Sequence, residues 1–372
     1  MDYTRRDFGK LVLAGVPTVG LLDSHVAWAN VLRAKPNSKW AGVQVGMNVP
    51  YNFGTGNYTT GDEILQRCIQ LGVSGVELRA QPVELFLGSP AAIAGAAAPR
   101  GRGAGRGAAQ DPQAAAGGRA GGTAGQEPPP PGAAGAARGE AGRQGGGRGA
   151  GRAELTPEQQ AAQRAAAEET RKWRAGVSLD KVKQFRKKFE DEGVLIEIVK
   201  WDGIFTMSDD EVDYSFEVSK ALGARALSTE INLEGAKRLG QFADKHKMQF
   251  GYHGHAATTV EDFETVFSYA KFNAANLDLG HFTAGQGSPI PFVQKHYERI
   301  THVHVKDRKL NNGPNVPFGQ GDTPIKEVLQ MMRDKKWKFQ ATIEFEVPLP
   351  AGGDRMAEIA KCVEYCKACL LG

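Results

Sequence analysis

Short apolar runs alternate with amphipathic stretches along most of this chain, and the later runs share one habit. ARALSTE (224–230), MQFGYHGH (248–255), ANLDLGH (275–281), ITHVHVKD (300–307) and TIEFE (342–346) each end at or near a histidine, aspartate or glutamate. Between them the apolar positions recur at helical spacing, so strands alternate with helices and parallel βαβ units are predicted. The same reading puts strands at 40–48, 74–80, 194–202, 224–230, 248–255, 275–281, 300–307 and 339–346. Helices are predicted at 61–72, 179–193, 209–223, 233–247, 260–271, 291–299 and 323–336, with a last one over 356–371. Gly72 and Gly223 stand where helices should stop, as glycines just past a C-cap do. GQGDTP (319–324) reads as a turn with a helix N-cap at Asp322 or Thr323 before Pro324. Eight such units close into an α/β fold of the (β/α)8 barrel type, where every strand delivers its C-terminal end to one shared face. An open doubly wound sheet is the alternative.

Two segments break the pattern. Residues 88–168 are a Gly/Ala/Arg/Pro/Gln tract without a single aromatic side chain, too poor in apolar surface to order itself. It is read as a disordered insertion after the second strand, a solvated spacer inside one domain. At the start, Thr4-Arg5-Arg6-Asp7-Phe8-Gly9-Lys10, the apolar stretch LVLAGVPTVGLL and Ala27-Trp28-Ala29 make a twin-arginine export signal over 1–29, with the mature chain beginning near Asn30. A periplasmic or otherwise exported location follows. The apolar stretch falls short of the ~20 residues of a membrane span. Without signal and tract, roughly 260 residues remain, the usual length of one such barrel.

Composition excludes more than it assigns. A net charge of +4, with much of the arginine excess in the tract and the signal, is no nucleic-acid signature. Cys362, Cys366 and Cys369 share one face of the last helix and read as small apolar residues of a buried face, with a thiolate site or a disulfide as the alternative. A homo-oligomer stays open.

The chemistry concentrates at the strand ends. Metal ligation needs several donors converging on one point, and neighbouring strand ends of a barrel supply that convergence. Asp278 and His281 close one run, His302 and His304 share a strand face by the two-residue period, and Glu344 and Glu346 close another. His304 is the better ligand of its pair, with His302 deeper or orienting it. Glu77 and Lys200 end earlier strands and are expected to line the pocket, with an ion-pair role inside the barrel as the alternative for Glu77, while Lys306 and Arg308 follow the histidines and are expected to hold substrate oxygens.

In LDLGH, HVHVKDR, GQGDTPIKEVL and TIEFE the sequence resembles the xylose isomerase-like TIM barrels, the sugar phosphate isomerases/epimerases, over all of the mature chain except 88–168. The resemblance implies a divalent metal (Mn, Mg, Co or Zn) on a Glu, an Asp, a His and a Glu, placing the Asp at Asp278, the His at His304 and the last Glu at Glu344. Relatives carry the first acid in an E-N-H motif where this chain has His253-Gly254-His255. Either His253 takes that place or Glu230 supplies the carboxylate; the expectation is Glu230. Glu230, Glu344, His281 and Lys306 are then the expected catalytic groups, with His255, Arg308, Glu77 and Lys200 binding substrate. The implied activity is that of a sugar isomerase or epimerase moving a proton through an enediolate on a free sugar, keto-sugar or glycoside. A lyase or dehydratase on the same scaffold is the alternative, and a non-catalytic sugar-binding barrel is another. An endonuclease-like phosphodiesterase would want more ligands and a basic crescent, and neither is evident.

Overall fold

The structure, a computed structural model, describes residues 35–98 and 156–372. The signal reading over 1–29 and the middle of the tract lie outside the described residues. A two-residue strand β1 (Lys39–Trp40) turns back antiparallel onto β2 (Val43–Val49). Seven further strands follow: β3 (Gly75–Arg79), β4 (Leu195–Lys200), β5 (Ala226–Glu230), β6 (Gln249–His253), β7 (Asn273–Asp278), β8 (Ile300–Val305) and β9 (Gln340–Ile343). From β2 to β9 each pairs in parallel with the next, and β9 pairs back onto β2. The ladder is a closed eight-stranded barrel, as the alternation of elements predicts.

Helices α1 (Gly61–Leu71), α2 (Ala80–Leu87), α3 (Pro90–Ala97), α4 (Pro157–Ala175), α5 (Leu179–Asp191) and α6 (Asp209–Ala221) come first. Then come α7 (Leu233–His246), α8 (Val260–Tyr269), α9 (Leu279–Gln286), α10 (Ile290–His296), α11 (Ile325–Asp334) and α12 (Arg355–Leu371). Their starts follow local chemistry. Thr60 with Glu63, and Thr259 with Asp262, form capping boxes on α1 and α8, satisfying amides that a helix leaves unpaired in its first turn. Gly72 ends α1 at φ +69°, a backbone angle that costs a glycine nothing. Most outer helices turn one apolar stripe inward, for example Ile64, Leu65 and Cys68 of α1 and Cys362, Cys366 and Cys369 of α12. All four cysteines are buried and free. No helix among the described residues is long and apolar enough to cross a membrane.

Three expectations need correction. The tract read as structureless over 88–168 is helical at both described ends, in α3 and in the first part of α4. Its alanines favour helix, and the α4 end is pinned by Arg174, which pairs with Glu84 of α2 at 2.9 Å and Glu211 of α6 at 2.8 Å. Next, the run ANLDLGH is not all strand: β7 stops at Asp278, whose Oδ1 accepts from the His281 amide at 2.7 Å and so caps α9. Last, neither Asp322 nor Thr323 caps α11, whose N-cap is Pro324. Their side chains instead accept from the amides of Leu310 and Arg308, at 2.9 and 3.0 Å. The buried Asp307 carboxylate collects the amides of Gly319 and Gly321 at 2.8 and 2.9 Å.

Candidate metal centre

The C-terminal strand ends converge as barrel geometry requires. His253 ends β6, Asp278 ends β7, His304 lies one residue short of the end of β8, and Glu344 follows β9. All four are buried, and each offers one donor atom within 4.8 Å of the others. His253 Nε2 is 3.5 Å from Asp278 Oδ2, and His304 Nδ1 is 3.8 Å from that oxygen and 3.4 Å from Glu344 Oε2. Donors on a tetrahedral ion with bonds of about 2.1 Å stand roughly 3.4 Å apart. His304 Nδ1 is moreover buried without a hydrogen-bond partner, unusual for a polar atom away from water. Two imidazole nitrogens and two carboxylates at this spacing fit a divalent ion.

Behind each imidazole stands a carboxylate. Glu77, on β3, reaches across the barrel interior to His304 Nε2 at 2.6 Å and lies 3.2 Å from His302 Nε2, while Ser228 Oγ donates to its other oxygen at 2.6 Å. Glu230 stands behind His253, with Oε2 2.9 Å from His253 Nδ1 and 2.8 Å from His255 Nε2. Its Oε1 takes the Lys200 ammonium at 2.5 Å. Carboxylates so placed fix the tautomer and the ring of a ligating histidine.

The expected residues therefore divide. Asp278, His304 and Glu344 come together, joined by His253. Glu230 does not join that group but lies in a separate one with His253 and His255. Lys200, His253 and His255 already engage its two oxygens. Glu77 and Lys200, expected to touch substrate, are buried behind the histidines. His255 is 51 % exposed at the mouth. His281 sits between Lys306 Nζ at 3.1 Å from its Nε2 and Arg308 Nη1 at 2.7 Å from its Nδ1. Arg308 also donates to the Gly313 carbonyl.

Charge follows from burial. Desolvation, reinforced by the Lys306 charge over the pull of Asp278, lowers His281 to about 3, so it stays neutral. Burial opposes a charge on His304, but the carboxylates of Glu344 and Glu77 outweigh it and raise the ring to about 10. Desolvation would raise Glu344 and Glu230; Lys306 and His304 for the first, and Lys200 and His253 for the second, hold them well below the carboxylate range.

Some contributors were missed by the sequence reading. Asn48 donates to Glu344 Oε1 at 2.9 Å, and Tyr51 Oη lies 2.5 Å from Glu346 Oε1. Arg79 pairs with Asp202 and lies over the Tyr51 ring. Asn48 and Arg79 end their strand runs and fall under the same strand-end rule as the acids. Tyr51 opens a short 3-10 helix after β2 that the sequence reading leaves blank.

Comparison with known proteins bears on the family and the fold. The family model described as Xylose isomerase-like TIM barrel matches residues 166–369. An inosose dehydratase of Salmonella typhimurium is 33 % identical over 83 residues, covering 21 % of this chain and 28 % of that protein. One from Clostridium perfringens strain 13 is 24 % identical over 156 residues, covering 36 % of this chain and 52 % of that protein. The chain thus spans little more than a quarter of the first relative and about half of the second. Among solved structures, a xylose isomerase domain protein from Alicyclobacillus acidocaldarius superposes with TM-score 0.50 at 12 % identity, over 89 % of this chain and all of that one. A probable 3-DHS dehydratase from Bacillus anthracis gives TM-score 0.50 at 11 %, over 87 % and 98 %. These two likenesses concern the fold.

Proposed function

This chain belongs to the xylose isomerase-like TIM barrel family, and from that premise we propose that it is a divalent-metal enzyme moving a proton at the carbon beside a carbonyl or hydroxyl of a sugar. Free sugars, keto-sugars and glycosides are the proposed substrates, and export by the twin-arginine route is part of the proposal. The observation that carries it is the donor set of His253, Asp278, His304 and Glu344, buried and mutually spaced for one ion.

A divalent ion held there would polarise neighbouring substrate oxygens and stabilise negative charge developing on them. Two imidazoles among four donors favour zinc or cobalt over magnesium. Glu230 and Glu77, bonded to His253 Nδ1 and His304 Nε2, hold the opposite nitrogens of both rings toward the cluster, where a bound ion would require each ring neutral. Proton movement then falls to Glu344 on one side and to His255, oriented by Glu230, at the mouth. The Arg308 guanidinium, held beside neutral His281, supplies hydrogen bonds to substrate oxygens. Returning the proton gives isomerisation or epimerisation. A second outcome, loss of a β-hydroxyl after the same abstraction, is favoured by the name of the curated relatives, inosose dehydratase.

The test is incubation of the metal-loaded protein with keto-sugars and glycosides in deuterated water. Deuterium at a single carbon is expected, with or without loss of water, and Asp278→Asn should abolish it. No exchange across the panel would sink the proton-transfer reading, and sugar binding by a metal-free protein would point to a binding barrel instead.

A further inference from the structure

Lys306 is almost fully buried, yet its ammonium touches three carboxylates: Glu344 Oε2 at 2.6 Å, Glu346 Oε2 at 2.8 Å and Asp278 Oδ2 at 3.1 Å. Two of these oxygens are the ones that His253 Nε2 and His304 Nδ1 approach to complete the donor set. Glu346 lies outside that set. It is tied to Tyr51 Oη at 2.5 Å and to Asn315 Nδ2 at 3.2 Å, nearer solvent. We propose that Lys306 is a resident cation that competes with the divalent ion for Asp278 and Glu344 and thereby sets metal affinity, with Glu346 as the carboxylate its ammonium keeps when the ion binds. The inference rests on the metal reading of the preceding subsection.

The physics is exclusion. One carboxylate oxygen cannot hold an ammonium and a dication together without bringing two cations within a few ångströms, where buried charges are little screened. The lysine stem is flexible, so the ammonium can withdraw while its backbone stays. That backbone is fixed by close packing: a Cβ on Gly280 of α9 would stand 2.8 Å from the Lys306 carbonyl oxygen. On withdrawal the contact with Glu346 is already made, and the neutral His281 ring at 3.1 Å accepts a second bond.

The sign of the expected effect is unusual for a lysine in an active site. Lys306→Met should bind Zn2+ and Mn2+ roughly tenfold or more tighter, within the range by which residues around a metal site change affinity. Lys306→Arg keeps the competing charge and should stay near wild type. Glu346→Gln should weaken binding, because the ammonium loses its refuge, and should do so far less in the Lys306→Met background. Arg308→Met removes a charge at the same rim without touching Asp278 or Glu344, and should shift affinity by less than about threefold. The measurement is competition with a chromophoric chelator on the full chain stripped of metal, with a thermal melt as the folding control. If Lys306→Met fails to fold, the Lys306→Arg and Glu346→Gln arms carry the test. Wild type binding metal with Lys306→Met no tighter would overturn the resident cation alone. Binding by Lys306→Met but not by wild type would support it. Binding by no variant would overturn the metal reading and this inference together.

Discussion

Glu77 shows how one side chain organises the centre of the barrel. Its two oxygens serve His304, His302 and Ser228, all inside the barrel and out of reach of water. Desolvation alone would raise its pKa; the two histidines hold it well below the carboxylate range. Removing one partner of a buried charged pair leaves the other uncompensated, at about 3–5 kcal/mol. Glu77→Ala should therefore lower stability by that order in urea unfolding, and metal affinity should fall with it because His304 loses its orienting carboxylate. Wild-type metal affinity in a folded Glu77→Ala would refute the orienting role. The sequence offers Glu77 only as a pocket-lining acid or an ion-pair partner inside the barrel, and its partners were not legible because they lie more than 150 residues away. The uncertainty between Glu230 and His253 has a similar origin. The two are register partners on adjacent strands, so a strand-end rule puts both at the same height. What separates them is Lys200, buried beside them, which claims one Glu230 oxygen. Asp278, His304 and Glu344 were legible because each lies at or near the end of its own apolar run and matches a motif of the family the sequence resembles.

At the scale of elements, the weak point of the ladder is where β9 ends at Ile343, one residue before Glu344. Asn52, in the short 3-10 helix Tyr51–Phe53 after β2, covers the gap like a short piece of strand. Its amide donates to the Ile343 carbonyl at 2.7 Å and its oxygen accepts from the Phe345 amide at 2.9 Å, bracketing Glu344. The Glu344 amide itself donates to the Val305 carbonyl at 3.0 Å. Asn52→Ala leaves two buried backbone groups unpaired, at about 1–3 kcal/mol each. The expected outcome is a lower melting temperature and a fall in turnover larger than the change in substrate affinity, since the fault lies in where Glu344 points. Unchanged turnover at a lowered melting temperature would reduce Asn52 to a purely structural clamp. Elements with a clean period, such as α1 and β8, could be read directly. Helix α9 could not: Leu279, Gly280, Phe282, Thr283 and Ala284 are all buried, so no polar face marks its period.

For the whole molecule, closure is the property that the count of alternating elements anticipated, and it makes a prediction about the tract. Every parallel pairing from β2 round to β9 and back is made by described residues, so the barrel owes none of its ladder to 99–155. The described ends of the tract differ. Helix α4 presents mostly exposed residues along its first turns, but its last turn is locked to the barrel wall. Arg174 bridges α2 and α6 and lies over the Tyr214 ring, and Trp173 meets the same ring edge-on. Burial opposes the Arg174 charge, but Glu84 and Glu211 more than restore it. Replacing 99–155 by a Gly/Ser linker of about ten residues, a flexible coil, should leave melting temperature and turnover at wild-type values. Arg174→Ala should instead cost about 3–5 kcal/mol, as breaking a buried ion pair does, and at roughly 2–4 °C per kcal/mol lower the melting temperature by around ten degrees. Calorimetry on both variants separates the two claims. A deletion as damaging as Arg174→Ala would mean that the barrel depends on the tract inserted in its sequence, and that closure of the ladder is not sufficient for this fold.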